Sequence, residues 1–544
     1  EGEDTRTGAD LDVAYMSLRI TLPTQKASTR AAGTSTEKDP TGHEGDVNSL
    51  YVITFDKDQK LVHHSRKNPV IVLGSGDLSP QVSGNQGTTE AILVSASTKY
   101  LLVVVNPGTL LETRLRALTA GALYNDINMA IVKSLTAGSK PETLVGEIAD
   151  PADSGKGFTM INAGSYDVSG DKWNQGCLLD VETNVISVDG TTIKDEAAAK
   201  EEAEKVGNRA TLKIERLAAK VEVAVKSPGL TVLPEGATFE FGGWTLDYYN
   251  STFYPFAEKS KTKATHTAAF YENSFYTTDP NFTDPGHRTG IVLNEVKDRA
   301  PLVTWKAKSE TLTPVFEYCI ENTMADADQK FGAATRVVIK GKYAPKDFTL
   351  GNDWFSFGGI NYPTLANLQL AYSTAGTTIK AKADELELAG EDPITALANA
   401  KLFYPVETLL MEVCDNFLGA VNTALSASIA AFADLDQDTH LDNITDGGEI
   451  VKIAKCIKWY QKSLNYYYYD NTDDEYMYFG KYGVVRNNWY NLTLNKVNGS
   501  GTPWYPGGGP EDPDPEKPID EKPGFLAFDI EIAPWVYWQT GFEI

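Results

Sequence analysis

Apolar and polar residues alternate one for one at both ends of this chain, and a period of two is the pattern of a half-buried β-strand. In residues 11–22 (LDVAYMSLRITL), Met16, Leu18, Ile20 and Leu22 alternate with Ser17, Arg19 and Thr21, which predicts one strand with one apolar face. At the other end, Leu526, Phe528, Ile530 and Ile532 alternate with Phe525, Ala527, Asp529 and Glu531. After Pro534 a second alternating set follows: Val536, Trp538, Thr540, Phe542 and Ile544. Proline interrupts ladder pairing, so residues 525–544 read as two short strands.

The interior is also dominated by strand patterns. Strands are predicted over residues 49–55, 91–97, 100–105, 212–225, 237–246, 312–320 and 335–343, with turn chemistry such as Asn106-Pro107-Gly108 between them. The 212–225 segment reads as one long strand with Val221, Val223 and Val225 on one face. Residues 195–206 (DEAAAKEEAEKV), rich in Ala, Glu and Lys and stopping at Gly207, predict a short helix. A long helix is predicted to start at Pro405, with Val413, Phe417, Val421, Leu425, Ile429 and Phe432 on one face. A second helical stretch is expected over 450–464, leading into the aromatic run Tyr466–Tyr469.

Two segments read as soft. Residues 23–45, rich in Thr, Ser, Gly and Lys, predict an exposed loop, and Arg30 among small residues there is accessible to a trypsin-like protease. Residues 499–523 combine a Gly run with repeated Pro among charges and read as an extended linker.

Composition narrows the function. With 74 Asp and Glu against 49 Lys and Arg, the net charge of −25 repels phosphate backbones, so no nucleic-acid partner is expected. No run of 18 apolar residues marks a membrane-spanning helix. Cys177, Cys319, Cys414 and Cys456 form no CxxC pair and read as buried thiols, with one or two disulfides left open. No G-x-S-x-G, H-E-x-x-H or P-loop pattern is present, and His43, His63, His64, His266, His287 and His440 are scattered. No catalytic residue is assigned. One cluster, Asp434, Asp436, Asp438 and Asp442, offers oxygen ligands at alternate positions, as calcium prefers. Thr439 and Thr445 stand where an EF-hand needs its Gly and its bidentate acid, so a solvated acidic loop and a calcium site both stay open. No other cofactor is expected.

Taken together, the ends suggest strand exchange. A first strand tied to the body by a loop containing Arg30 could be cut away, leaving an edge with unpaired backbone groups that recruits another chain's strand. A C-terminal strand beyond a Pro-rich spacer could fill it. Head-to-tail contacts of this kind build filaments.

Specific segments carry a resemblance: residues 100–106 (YLLVVVN), 216–221 (RLAAKV), Glu321-Asn322-Thr323 within VFEYCIENT, 334–343 (ATRVVIKGKY), and most of all 481–492 (KYGVVRNNWYNL) with 494–499. In these the chain resembles the type V pilins of Bacteroidales, the fimbrillin family. It implies an all-β fold of two transthyretin-like β-sandwich domains, with helical additions in the second. The division is then 1–30, a strand removed on maturation; 31–228, the first sandwich; 229–524, the second with its helices and Pro-rich loop; and 525–544, the terminal strands. It implies a non-enzymatic subunit of an adhesive surface fimbria, made as an outer-membrane lipoprotein precursor. An arginine-specific protease would cut between Arg30 and Ala31 and remove the strand carrying Met16, Leu18, Ile20 and Leu22. The donor would be Val536, Trp538, Thr540, Phe542 and Ile544, with 525–532 completing the home domain. Expected partners are further copies of the chain head to tail, accessory, anchor and tip subunits, and host or bacterial surface receptors. The opening Glu1-Gly2-Glu3-Asp4-Thr5 shows no signal peptide or lipid-bearing Cys, so the sequence reads as a chain without its anchor. Two rivals are a tip or accessory adhesin binding host glycan or protein, and a β-sandwich glycoside hydrolase. The hydrolase would need two carboxylates about 5–10 Å apart in a cleft.

Overall fold

The computed structural model describes residues 12–21, 43–79, 86–129, 131–132, 146–150, 155–163, 166–167, 172–173, 177–259, 277–282, 291–292, 305–310, 312–357, 359–368, 370–371, 381, 384–385, 388–390, 457–470, 482–503, 516–518 and 526–533. Strands dominate and helices are few, so the all-β reading holds. Among the described residues no helix is long and apolar enough to cross a membrane.

The first half is built from β1 (Val13–Met16), β2 (Leu18–Thr21), β3 (Ser49–Phe55), β4 (Val70–Gly74), β5 (Gln86–Thr89), β6 (Ile92–Ser95), β7 (Tyr100–Val105), β8 (Met160–Asn162), β9 (Ile186–Ser187) and β10 (Ala210–Arg216). The larger sheet runs β4-β3-β7-β8-β10-β2-β5, and a smaller one runs β9-β1-β6. Residues 101–105 of β7 are completely buried on both faces, which explains their unbroken apolar run. Among the helices that flank these sheets are α1 (Thr109–Arg116) and α2 (Glu196–Ala203). α1 was not foreseen from its sequence, TLLETRLR, in which only Leu111 and Leu115, four residues apart, reach the core.

The second half comprises β11 (Ala218–Val225), β12 (Thr238–Asp247), β13 (Phe316–Ile320), β14 (Arg336–Ala344), β15 (Leu464–Asp470), β16 (Trp489–Val497) and β17 (Leu526–Ala533). One sheet runs β13-β11-β16-β17 and another β12-β14-β15. Val221, Val223, Leu492 and Leu494 of the first share a core with Trp244, Leu246, Ile339 and Tyr467 of the second.

Several expectations are corrected. In the segment read from sequence as one strand, residues 12–21 form two, broken at Ser17, because β1 and β2 pair into different sheets. The 212–225 strand likewise breaks at Leu217, where the chain passes from one half to the other; the Leu217 N–H donates to the Thr159 carbonyl, leaving both ladders. The 312–320 strand begins only at Phe316, with Leu312 exposed. Of the helix expected over 450–464, the described part holds only a 3-10 turn at Gln461–Ser463. Instead Lys458–Tyr460 is a strand paired with Trp354–Phe357, held by Tyr460 stacked on Trp354 at 3.8 Å between ring centroids. Residues 23–45 are not solvated throughout, since Glu44 is fully buried. Of the aromatic run, Tyr466 and Tyr467 are buried in the core, as packing in a strand requires. The long helix expected from Pro405 lies outside the described residues.

Candidate functional site

The segment 13–21 occupies an interior position in both sheets of the first half. β1 lies between β6 and β9, with Ala14 opposite Val94 on one side and Ser187 on the other. β2 lies between β10, to which it is parallel, and β5, with Arg19 opposite Thr211 and Thr88. Ser17 marks the crossing between the sheets. Its hydroxyl donates to the Thr89 carbonyl at 2.7 Å, and its own carbonyl accepts from the Ala210 N–H at 2.9 Å. The Leu18 N–H donates to Thr89 Oγ1 at 2.9 Å. These bonds satisfy the backbone where neither ladder continues.

Both faces of β1 are covered. Ala14 and Met16, with Leu18 and Ile20 of β2, point into the main core and are 0% exposed. Val13 and Tyr15 point the other way, into a small cluster with Leu93 of β6 and with Ala199 and Ala203 of α2. α2 begins where Asp195 Oδ1 accepts from the Ala198 N–H, an N-cap, and it presents two alanines to β1, small enough for close approach. The Tyr15 hydroxyl donates to Glu196 Oε2 at 2.5 Å, Arg66 donates to Glu196 Oε1 at 3.0 Å, and Lys200 Nζ lies 5.0 Å from the Tyr15 ring centroid. Burial, and then the bond to Glu196, push the Tyr15 hydroxyl up to about 12. The same bond, followed by Arg66, holds the Glu196 carboxyl below its ordinary range. At the start of the segment, Asp12 Oδ1 accepts from the Ser95 hydroxyl and the Ala96 N–H.

Beyond the loop the chain is anchored again. Glu44 and Lys220 are both 0% exposed, paired at 2.6 Å. Tyr318 donates to the same Glu44 oxygen at 2.6 Å, and Arg216 Nε donates to the Glu44 carbonyl at 2.9 Å. Lys220 Nζ also lies over the Phe316 and Trp489 rings, at 3.6 and 4.0 Å. Desolvation lowers Lys220 to about 8 and Arg216 to about 10. This cage sits at the passage from β10 to β11, and so ties the re-entering chain to both halves.

Of the residues singled out from sequence, Met16 lies in the core beside β6, and Leu18 and Ile20 lie there beside β10 and β5. Leu22, Arg30, Ala31, Val536, Trp538, Thr540, Phe542 and Ile544 lie outside the described residues, as do Asp434, Asp436, Asp438 and Asp442. β17 pairs antiparallel along β16, from Ala533 opposite Trp489 to Leu526 opposite Val497. Cys177 and Cys319 are buried and form no disulfide, the Cys177 thiol donates to the Ala257 carbonyl at 3.7 Å, and burial pushes the Cys319 thiol up; Cys414 and Cys456 lie outside the described residues. Among the described residues no group of three or more His, Cys, Asp or Glu could hold a metal ion. The sequence reading missed Tyr15, Glu196, Arg66, Glu44 and Lys220. A signal existed for the first: Val13 and Tyr15 are apolar on the face opposite Ala14 and Met16, as befits a strand covered on both sides.

Residues 458–540 match the family model for the C-terminal part of fimbrillin, the major fimbrial subunit protein type IV. The family resemblance read from the sequence is therefore borne out over that stretch. No curated protein matches by sequence. Among solved structures, the chain is similar to a "Putative cell adhesion protein" from Parabacteroides distasonis, at 11% identity over 96% of this chain and 99% of that one, with a TM-score of 0.39. It is similar to a fimbrilin from Porphyromonas gingivalis at 14% identity, over 96% and 97%, with a TM-score of 0.33. It is also similar to the tip fimbrial protein Mfa3 of Porphyromonas gingivalis with a C-terminal truncation, at 13% identity over 64% and 86%, with a TM-score of 0.31.

Proposed function

We propose that this chain is a structural subunit of a fimbrial shaft, of the kind found in short Porphyromonas fimbriae, and that it polymerises by exchanging its N-terminal strand for a strand of the next copy. The observation that carries this reading is the interior position of residues 13–21. Each of β1 and β2 is hydrogen-bonded on both sides, and Met16, Leu18 and Ile20 are wholly buried. Removing the segment would expose the facing edges of β6 and β9 and of β10 and β5, together with an apolar channel. Such edges bind an added strand through its backbone and seat its alternate side chains in pockets.

In this reading an arginine-specific protease cuts between Arg30 and Ala31, within a stretch flanked by the anchors at residues 12–21 and at Glu44. The donor lies in residues 534–544, while β17 remains with its own domain. The chain divides into two β-sandwiches with transthyretin-like topology, and matures from an outer-membrane lipoprotein precursor. Its partners are further copies of itself, accessory, anchor and tip subunits, and surface receptors. The test is limited digestion with an arginine-specific protease, followed by sizing and electron microscopy. Filaments that fail to form once residues after Pro534 are deleted support the proposal. A clean cut at Arg30 that leaves a stable monomer favours a tip or accessory adhesin instead.

A further inference from the structure

We propose that the strand replacing residues 13–21 runs in the same direction as the strand it displaces, and that it seats Tyr537 of a second copy in the pocket now filled by Tyr15; this rests on the strand-exchange reading above. The pocket has a definite chemistry. It is roofed by Ala199 and Ala203 of α2 and walled by Leu93. At its end the Glu196 carboxylate, itself held by Arg66, accepts a hydrogen bond from a phenol. An occupant therefore needs an aromatic ring and a hydroxyl donor at its tip.

Only a few alignments of the run 536–544 (VYWQTGFEI) place its apolar set toward the core, because a shift by one residue turns every side chain to the wrong face. In the proposed register Val536 falls at Ala14, Trp538 at Met16, Thr540 at Leu18, Phe542 at Ile20 and Ile544 at Leu22. Tyr537 then falls at Tyr15. Gln539 falls at Ser17, where its amide keeps a donor for the Thr89 carbonyl, and Gly541 replaces the half-exposed Arg19.

The neighbouring registers meet physical objections. Sliding the run two residues toward β2 puts Pro534 at Ala14, inside a strand paired on both sides, where proline has no N–H for the ladder. Sliding it two residues the other way puts Gln539, which has no ring, at Tyr15 and sets the far bulkier Trp538 indole at the fully buried Ala14. Reversing the strand, with Ile544 at Ala14, puts Glu543 at Tyr15, carboxylate against the Glu196 carboxylate beneath a helix. The like charges repel, and no cation is added to offset the second carboxylate. The same-direction register brings a tyrosine to the tyrosine pocket and avoids all three conflicts.

Cysteine pairing in filaments tests both direction and register. Ser187 faces Ala14 across the β9–β1 ladder, and residues directly opposite in an antiparallel pair lie within disulfide reach. Ser187→Cys is combined either with Val536→Cys or with Ile544→Cys, the chains are digested with an arginine-specific protease and oxidised, and non-reducing gels are read against each single variant. The expected result is a covalent ladder with consumption of the monomer band for the Val536→Cys pair alone. A ladder from the Ile544→Cys pair means the strand enters reversed and overturns the inference. Filaments with no ladder from either pair also overturn it, since another register or segment then fills the groove. If the unsubstituted chain forms no filaments after the cut, the strand-exchange reading itself fails, and the inference with it.

Discussion

Replacing Leu18 by Ala should loosen the N-terminal strand far more than replacing its neighbour Arg19. Leu18 is completely buried in the main core, in the middle of the segment, whereas Arg19 is only half-buried. Truncating a buried Leu to Ala costs about 2–5 kcal/mol, from lost transfer energy plus the cavity left behind. In the uncut chain this appears as lower stability. In a chain cut after Arg30 the fragment 1–30 is held only by non-covalent contacts, so the same loss weakens its hold directly. At about 1.4 kcal/mol per decade, the fragment's dissociation constant should rise roughly 30-fold to several thousand-fold. Most of that change should appear as faster release. Arg19→Ala should stay within about threefold, because a partly exposed side chain contributes within ~0.5 kcal/mol. The assay nicks each variant with an arginine-specific protease and follows loss of fragment 1–30 from the folded body by sizing and mass spectrometry. If Leu18→Ala and Arg19→Ala release the fragment at the same rate, the segment is not held by its core-facing side chains. The groove then cannot derive its affinity from them.

Further outcomes follow from the same contacts. Removing one member of the buried Glu44–Lys220 pair leaves a charge without its partner, so Glu44→Ala should cost roughly 3–5 kcal/mol in chemical denaturation. The double change with Lys220→Met should recover part of that loss, and an additive double variant would show that the two residues do not act as a pair. Lys220 is lowered to about 8 against an ordinary value of 10.5, so between those values the unfolded chain holds a proton that the folded chain has released. Stability should therefore rise with pH across that window, by up to about 1.4 kcal/mol per pH unit, and Lys220→Met should lack that component; parallel pH profiles for the two chains would contradict this assignment. Cys177 and Cys319 should resist thiol reagents in the native chain and react on unfolding, as peptide mapping would report. Loss of the α2 cap by Asp195→Ala should cost about 1 kcal/mol, read from thermal or denaturant unfolding.

Much of the strand content was legible because alternation and buried apolar runs are local. Tyr100–Val105, Thr238–Asp247, Arg336–Ala344 and Leu526–Ala533 lie within a residue or so of their expected limits. The breaks were not legible. Ser17 and Leu217 interrupt patterns that read as continuous, because the choice between two sheets depends on partners far along the chain, Thr89 for one and Thr159 for the other. The strand at Lys458–Tyr460 was obscured for a related reason: its stability comes from Trp354 and Phe355, about a hundred residues earlier. Glu44 read as part of a polar loop because its partners, Lys220 and Tyr318, are brought to it only by the packing of the two halves.

The same placement gives the proposed cut its asymmetry. Between the strand ending at Thr21 and the anchor at Glu44, a break in the chain separates two differently held pieces. On the amino side the segment is held by backbone ladders and apolar side chains, both of which another strand can supply. On the carboxyl side Glu44 is held by a specific ion pair, a phenol and a guanidinium, which no incoming β-strand reproduces. Cutting at Arg30 would therefore make residues 1–30 replaceable while residues from Glu44 onward stay fixed across the passage from β10 to β11. Exchange at this groove consequently need not disturb the junction between the two halves, provided the Glu44 cage is more stable than the ladder of the departing strand. Comparing hydrogen exchange at Lys220 and Leu18 in the uncut chain measures that order directly. Protection at Lys220 that is lost before protection at Leu18 would reverse it.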